Sequence, residues 1–255
     1  NFGAAVSLEG TKLAVGAPGD DGAADSVTNS GAVYLYTFTD ANFSGATQAH
    51  LLQADSGGTL TAGDSLEAND EFGSAVSLNS DRLAVGTPGD DGNSNVAADV
   101  GAVRLYSVPA ALTGATLIGK IGAGYSGGSD IDPDGLSAGD SLGSAVALDS
   151  TRLAVGAPLA KTATDTGSEV GAVHLFTFSS SALTSGSQVG IIGSGDYSGS
   201  GQTVNVALGS GDKFGSGVAI DDKGLAVGAP GDDGASNTVT DAGAAYYFEF
   251  ADLAF

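Results

Sequence analysis

The sequence predicts an all-β protein, a β-propeller-type array of four-stranded blades holding about 3.6 repeats of roughly 70 residues. Three observations predict it. The same apolar segments return in the same order at an almost fixed spacing. Each segment alternates in the two-residue rhythm of a strand, and none sustains the 3.6-residue rhythm of a helix. Glycine is abundant, at 42 of 255 residues, and with alanine it falls where packed layers would have to approach closely. A stacked β-solenoid is the competing architecture, but its repeats are usually shorter.

The first strand is "FGAAVSL" at 2–8, repeated as "FGSAVSL" at 72–78, "LGSAVAL" at 142–148 and "FGSGVAI" at 214–220. Val6 and Leu8 alternate there with Ala5 and Ser7. The second strand is "KLAVGAP" at 12–18, which returns at 82–88, 152–158 and 224–230. From Gly16 to Gly86, Gly156 and Gly228 the periods are 70, 70 and 72 residues. The third strand, "GAVYLYTF" at 31–38, returns as "GAVRLYSV", "GAVHLFTF" and "GAAYYFEF" at 101, 171 and 243. Both of its faces are largely apolar, so it should lie between packed layers. A weaker fourth strand reads "TQAHLL" at 47–52, "TLIGKI" at 116–121 and "QVGIIG" at 188–193. The whole chain, 1–255, reads as a single domain of repeats 1–71, 72–141, 142–213 and 214–255, the last incomplete.

These segments resemble the FG-GAP repeat, the blade unit of integrin α-subunit propellers and of many bacterial surface proteins. The resemblance rests on Phe2-Gly3, Val15-Gly16-Ala17-Pro18 and Gly31-Ala32-Val33-Tyr34, with matches in every unit. It implies a β-propeller, an adhesive or structural role outside the cell or at its surface, a bacterial setting, and no enzymatic activity. One departure matters. Integrin-like blades bind calcium in an Asp-rich loop between their first two strands. Here that connection reads only "EGTK", "NSDR", "DSTR" or "DDKG". Four residues cannot wrap the 6–8 oxygens that calcium takes, so the integrin-type calcium loop is not carried over. The chain is closer to the bacterial subtype with a short first hairpin.

Charge is sparse and one-sided: 30 acidic against 8 basic residues, net −22. Such a charge argues against nucleic acid and anionic membranes as partners. No apolar run is long enough to span a bilayer as a helix. There is no Cys, hence no disulfide framework, and no Met, which reads as a processed product or fragment.

Aspartate makes up most of the acid, and its clusters are the candidate metal ligands. "GDDG" follows the second strand as Asp20-Asp21, Asp90-Asp91 and Asp232-Asp233. The third unit has "LAKT" there, with Lys161 in an aspartate's place. Loop residues such as Asp25, Asn29, Asp99, Asn237 and Asp241 add oxygens nearby. Two readings stay open: a Ca2+ cage, or an ordinary turn in which Asp bonds local amides. "DIDPDG" places Asp130, Asp132 and Asp134 at the spacing that opens an EF-hand-type loop, although its twelfth position is Ser141, not Glu. Asp70, Asp140 and Asp212 recur just before a first strand, which suggests a shared structural bond to backbone. Lys12, Arg82 and Arg152 recur before the second strand and should pair with nearby carboxylates.

The expected function is a non-catalytic extracellular module for adhesion, ligand binding or surface structure, its partner a protein, a glycan or copies of itself. One alternative is a subunit of a filament or sheath, assembled through open strand edges. Another is a calcium-dependent polysaccharide-active enzyme, whose mark would be a central cleft holding a basic residue beside several carboxylates, and which loses its support if Arg104, Lys120 and the histidines all lie apart. Integrin-like propellers close with seven blades, so further units, a smaller ring or a neighbour would be needed to complete this array.

Overall fold

Each repeat folds into its own antiparallel meander, because four short alternating strands joined by tight turns can pair only with their sequence neighbours. The computed structural model describes residues 1–54, 65–162, 169–195, 202–234 and 239–250. Blade 1 is β1 (Ala5–Glu9), β2 (Lys12–Ala17), β3 (Ala32–Thr37) and β4 (Thr47–Gln53). Blade 2 is β5 (Ala75–Asn79), β6 (Arg82–Thr87), β7 (Ala102–Ser107) and β8 (Thr116–Gly122). Blade 3 is β9 (Ala145–Asp149), β10 (Arg152–Ala157), β11 (Ala172–Phe178) and β12 (Gly186–Gly193), extended by β13 (Gln202–Asn205). Blade 4 is β14 (Gly217–Ile220), β15 (Gly224–Ala229) and β16 (Ala244–Glu249). Among the described residues, helix is limited to one 3-10 turn, Ala23–Asp25.

Two details differ from the sequence reading. The first hairpin is tighter than four residues in blades 1 to 3. Glu9 pairs with Lys12, Asn79 with Arg82 and Asp149 with Arg152, leaving two-residue turns. The residue after the first strand takes the left-handed conformation, at φ 58° for Gly10, 59° for Ser80 and 53° for Ser150. The connection 194–213 also carries structure of its own: β13 runs parallel to β12, Gly190 opposite Gln202. In blade 2 the equivalent connection makes one parallel bridge, Ile121 to Ile131. These connections line the outer edges of blades 2 and 3, where unpaired strand groups would otherwise face solvent.

The four sheets pack face to face as a four-blade propeller arrangement, first strand against first strand: β1 on β5, β5 on β9, β9 on β14. The hydrophobic core lies between blades. Ala14, Val33, Leu35 and Leu52 of blade 1 meet Val76, Leu83 and Tyr106 of blade 2. The same pairing recurs between blades 2 and 3 and between blades 3 and 4. Each junction is anchored by the residue opening the next blade. Phe72, Leu142 and Phe214 are fully buried, each worth about 1.5–3 kcal/mol by removal from water.

Glycine sets how close the blades come. A Cβ on Gly16, Gly86 or Gly156 would stand 1.9, 1.8 or 1.9 Å from the carbonyl oxygen of Gly73, Gly143 or Gly215 in the following blade. Those following glycines sit at φ 91° to 92°, where an L side chain is strained. The glycine opening the third strand bridges the next blade's anchor: Gly31 with Phe72, Gly101 with Leu142, Gly171 with Phe214. The motif therefore joins each blade to its neighbour.

Substituting Gly156→Ala should separate blades 3 and 4. Overpacking a site this tight costs at least about 1–3 kcal/mol, measurable as a lower midpoint in urea denaturation. An unchanged midpoint would show that the junction can open without penalty.

Candidate functional site

The candidate site is the rim where the loops joining second to third strands meet the connections between blades. Both kinds of loop leave the sheets at the same end. They are bonded together there: the Asn69 amide donates to the Thr28 carbonyl at 2.9 Å, and the Gly139 amide to the Ala98 carbonyl at 2.9 Å.

The paired aspartates build these loops. The first of each pair caps its own turn: Oδ1 of Asp20, Asp90 and Asp232 accepts from the amide of Gly22, Gly92 and Gly234 at 2.7–2.9 Å. The second reaches across the loop. Oδ1 of Asp21, Asp91 and Asp233 accepts from the amide eight residues on, that of Asn29, Asp99 and Asp241, at 2.7–2.9 Å. In blade 3 the backbone turn survives without aspartate, the Ala160 amide donating to Ala157 and its carbonyl accepting from Gly171. Asn237 lies outside the described residues.

Beneath the rim, the first aspartate meets a side chain from the third strand, always fourteen residues later. The Tyr34 hydroxyl donates to Asp20 Oδ2 at 3.0 Å, and that of Tyr246 to Asp232 Oδ2 at 2.6 Å. Partial burial, then the adjoining carboxylate, raises both phenols, Tyr246 to about 12. In blade 2 the position is Arg104, with Nη2 at 3.0 Å from Asp90 Oδ2 and 3.9 Å from Asp70 Oδ2. Arg104 Nη1 donates to Thr87 Oγ1 at 2.8 Å and Nη2 to the Ser65 carbonyl at 3.1 Å. The Tyr125 hydroxyl also donates to Asp90, at 3.0 Å. In blade 3, where the aspartate is Ala160, the position is His174. Complete burial pushes its pKa down to about 4, so it is neutral near pH 7. Gln188 Nε2 lies 3.2 Å from its Nδ1.

The "DIDPDG" aspartates do not form a cage. Asp130 Oδ1 accepts from the Lys120 amide at 2.8 Å, and Asp132 Oδ1 from the Gly124 amide at 2.9 Å. The Asp134 amide donates to Gln188 Oε1 at 2.7 Å. Among the described residues, no three carboxylate or imidazole groups are gathered as a metal centre. Eight of the nine candidate ligands thus each give one carboxylate oxygen to a backbone amide, and Asp134 takes part through its own amide. Asp70, Asp140 and Asp212 bond backbone within their own loops, Oδ2 accepting from Glu67, Ser137 and Gly209 at 2.7–2.8 Å. Arg82 and Arg152 pair within their hairpin turns, with Asp81 at 2.8 Å and Asp149 at 2.6 Å, and Lys12 lies 3.3 Å from Glu9.

Arg104 and Lys120 stand opposite each other on β7 and β8, beside Asp70 and Asp90. The two histidines are elsewhere, His50 on β4 and His174 on β11. The cavity at Arg104 measures about 130 Å³, small against the ~300–1,000 Å³ of a ligand pocket. The sequence names Arg104 and Lys120 beside carboxylates only as the mark of an enzyme, and does not indicate the pairing of Arg104 with Asp70 and Asp90. Two coincidences point to it: blade 2 alone has Arg at the Tyr34 position, and it alone has Thr (Thr87) in place of the alanine before the proline.

Four glycine-locked meanders carrying braced rim loops define a β-propeller-type repeat protein. The family model for the FG-GAP repeat matches residues 1–36, 56–106, 129–176 and 208–248. The chain belongs to the FG-GAP repeat family. No curated protein matches it. Among solved structures, the crystal structure of Saccharomyces cerevisiae Sqt1 aligns with 91% of this chain and 43% of that one, at TM-score 0.39 and 10% identity. A likeness that distant carries no argument. No helix among the described residues is long and apolar enough to cross a membrane.

Removing Arg104 leaves two buried carboxylates facing each other. Arg104→Ala should cost about 3–5 kcal/mol, whereas Arg104→Tyr, copying blades 1 and 4, should cost less. Equal losses in urea denaturation would show that Asp90 does not accept either partner.

Burial pushes the Asp70 carboxyl up to about 7, with Asp90 adding to the rise and the Glu67 amide and Arg104 opposing it. An unfolded aspartate titrates near ~3.9. Between these values the folded chain holds the extra proton, so the Asp70 contribution to stability falls as pH rises through them. Asp70→Asn keeps an oxygen for the Glu67 amide and cannot ionise. The melting temperature of the unsubstituted protein relative to this variant should drop from about pH 4 to about pH 7; parallel curves would show that Asp70 titrates normally.

Proposed function

We propose that this chain is a non-catalytic, extracellular ligand-binding module that engages a protein or glycan through the loops of its aspartate-braced rim. One observation carries the reading: the loop roots are fixed while the loop tips are exposed and differ between blades. Asp20 and Asp21, like Asp90 and Asp91, hold the roots by accepting hydrogen bonds from backbone amides. Between those roots lie exposed Ala24, Asp25 and Ser26 in blade 1, and exposed Asn93, Ser94 and Asn95 in blade 2. A rigid frame under variable tips suits recognition, because little ordering entropy is lost on binding. The charged side chains of blade 2 are engaged with one another, which supports a structural role for them. A cell-surface location accords with the family and with the strongly acidic composition.

The test is binding of the immobilised protein to arrays of glycans and of extracellular matrix proteins. Replacing Asn93, Ser94 and Asn95 together by Ala should abolish a positive signal while the melting temperature stays within a few degrees. Replacing Asp40 and Asn42 on the opposite rim should leave it intact. Loss with the second variant and not the first would overturn the assignment to this rim. Each loop aspartate gives one oxygen to an amide and keeps a second, so melting in calcium against melting in chelator tests whether an ion stiffens the loops: a rise of several degrees with calcium reveals a bound ion, and no shift eliminates a structurally important one.

A further inference from the structure

We infer that Asn42 is an acceptor for asparagine-linked glycosylation, its side-chain amide taking an oligosaccharide at the end of blade 1 opposite the rim. The inference rests on the reading of this chain as extracellular, because such transfer acts on exported chains.

Asn42-Phe43-Ser44 is the one place in the sequence where Asn is followed, two residues on and with no proline between, by Ser or Thr. That triplet is what an oligosaccharyltransferase reads, and it belongs to surface loops. In a chain this rich in Ser and Thr the spacing has little weight by itself, and the placement carries the inference. Asn42 lies in the loop from β3 to β4, at the opposite end of β3 from the aspartate-braced loops. Asn42 and Ser44 are both exposed.

The loop does not need Asn42 for its shape. Its turn is closed by Asp40, whose Oδ1 accepts from the Asn42 amide at 2.9 Å and the Ser44 amide at 3.2 Å. The Phe43 amide donates to the Asp40 carbonyl at 3.3 Å. Among the described residues the Asn42 side chain has no hydrogen-bond partner. Blades 2 and 3 make the same turn without asparagine. The Leu112 amide donates to the Pro109 carbonyl at 2.8 Å, and the Leu183 amide to the Ser180 carbonyl at 3.0 Å. Phe43, Leu112 and Leu183 all take the left-handed conformation, at φ 61°, 52° and 57°. The corresponding triplets are Ala111-Leu112-Thr113 and Ala182-Leu183-Thr184. The hydroxyl residue is therefore shared by three blades, and the acceptor amide is peculiar to blade 1. Ala111, Thr113 and Thr184 are exposed although another blade precedes theirs. The exposure of Asn42 and Ser44 thus belongs to the loop itself, whatever stands before blade 1.

The transfer needs one co-reactant, a lipid-diphosphate-linked oligosaccharide. Asn42 Nδ2 bonds to C1 of the first sugar as the C1–O bond to the diphosphate breaks. The lipid diphosphate leaves with that electron pair, and Nδ2 gives up one proton. The sugar then stands in solvent beyond the β3–β4 turn and leaves the rim loops uncovered.

Secretion of the full chain, behind a cleavable leader, from cells that carry an oligosaccharyltransferase tests the site. The intact mass should exceed that of the bare chain, 24.6 kDa, by a whole oligosaccharide. Peptide-N-glycosidase should remove that mass and leave an aspartate at the position. Asn42→Gln and Ser44→Ala should each be secreted at bare-chain mass, with the melting temperature of the deglycosylated parent, and Ser44→Thr should keep the sugar. A parent chain secreted wholly at bare-chain mass would overturn the proposal, as would added mass that survives Asn42→Gln. Neither result bears on the rim, whose binding the same secreted protein reports separately on the glycan and matrix arrays.

Discussion

The contact between a glycine and the carbonyl of the next blade's glycine governs this architecture. At Gly16, Gly86 and Gly156 the space a Cβ would take is already filled by backbone, less than 2 Å away. That contact explains why three short segments far apart in sequence are each rich in glycine. The second strand supplies a bare Cα, the next first strand supplies a glycine at positive φ, and the third strand supplies another that bridges the anchor residue. Remove any one and two sheets must move apart, which loosens a core that lies wholly between blades. Stability is then shared between neighbours, much as in other repeat arrays.

The strands were legible because alternation and repetition reinforce each other. Four copies of "LAVG" in register leave little freedom in the meander, and the third strand's two apolar faces announce its burial. The propeller's junctions were visible only as composition, since the distance between Gly16 and Gly73 is a property of packing. The connections were the poorest part. β13 reads as "QTVN", four residues with no alternation, and it forms because β12 offers an unpaired edge. The candidate metal ligands show another limit. Paired aspartates followed by glycine have the same letters in a cation loop and in a turn, and what separates them is where each oxygen points. Here Oδ1 of Asp21, Asp91 and Asp233 finds an amide eight residues on, a partner that no local pattern marks.

The position fourteen residues beyond the first aspartate shows how the blades diversify without changing shape. Tyr34 and Tyr246 are hydrogen-bond donors to a carboxylate, Arg104 is a cationic partner to two, and His174 is neutral where the carboxylate is missing. The loop and the third strand therefore change together: a buried acid requires a donor, and a blade that lacks the acid needs none. Blade 2 goes furthest, adding Thr87 and Tyr125 to complete the shell around Arg104 and Asp90. A buried ion pair seldom adds much stability over apolar packing, but it fixes the geometry of the loop above it.

Junction and rim are thus separable in the sequence. Junction residues are small and near-identical, because backbone meets backbone and no side chain fits. Rim residues vary, because only the aspartates at each loop's root are constrained. Blade 3 demonstrates the separation: with Leu159, Ala160 and Lys161 in place of Gly-Asp-Asp it loses the bracing side chains, yet Gly156 and Gly171 still lock it to blade 4 at the same distances. A repeat protein built this way can exchange its loops freely while its blades continue to fit one another.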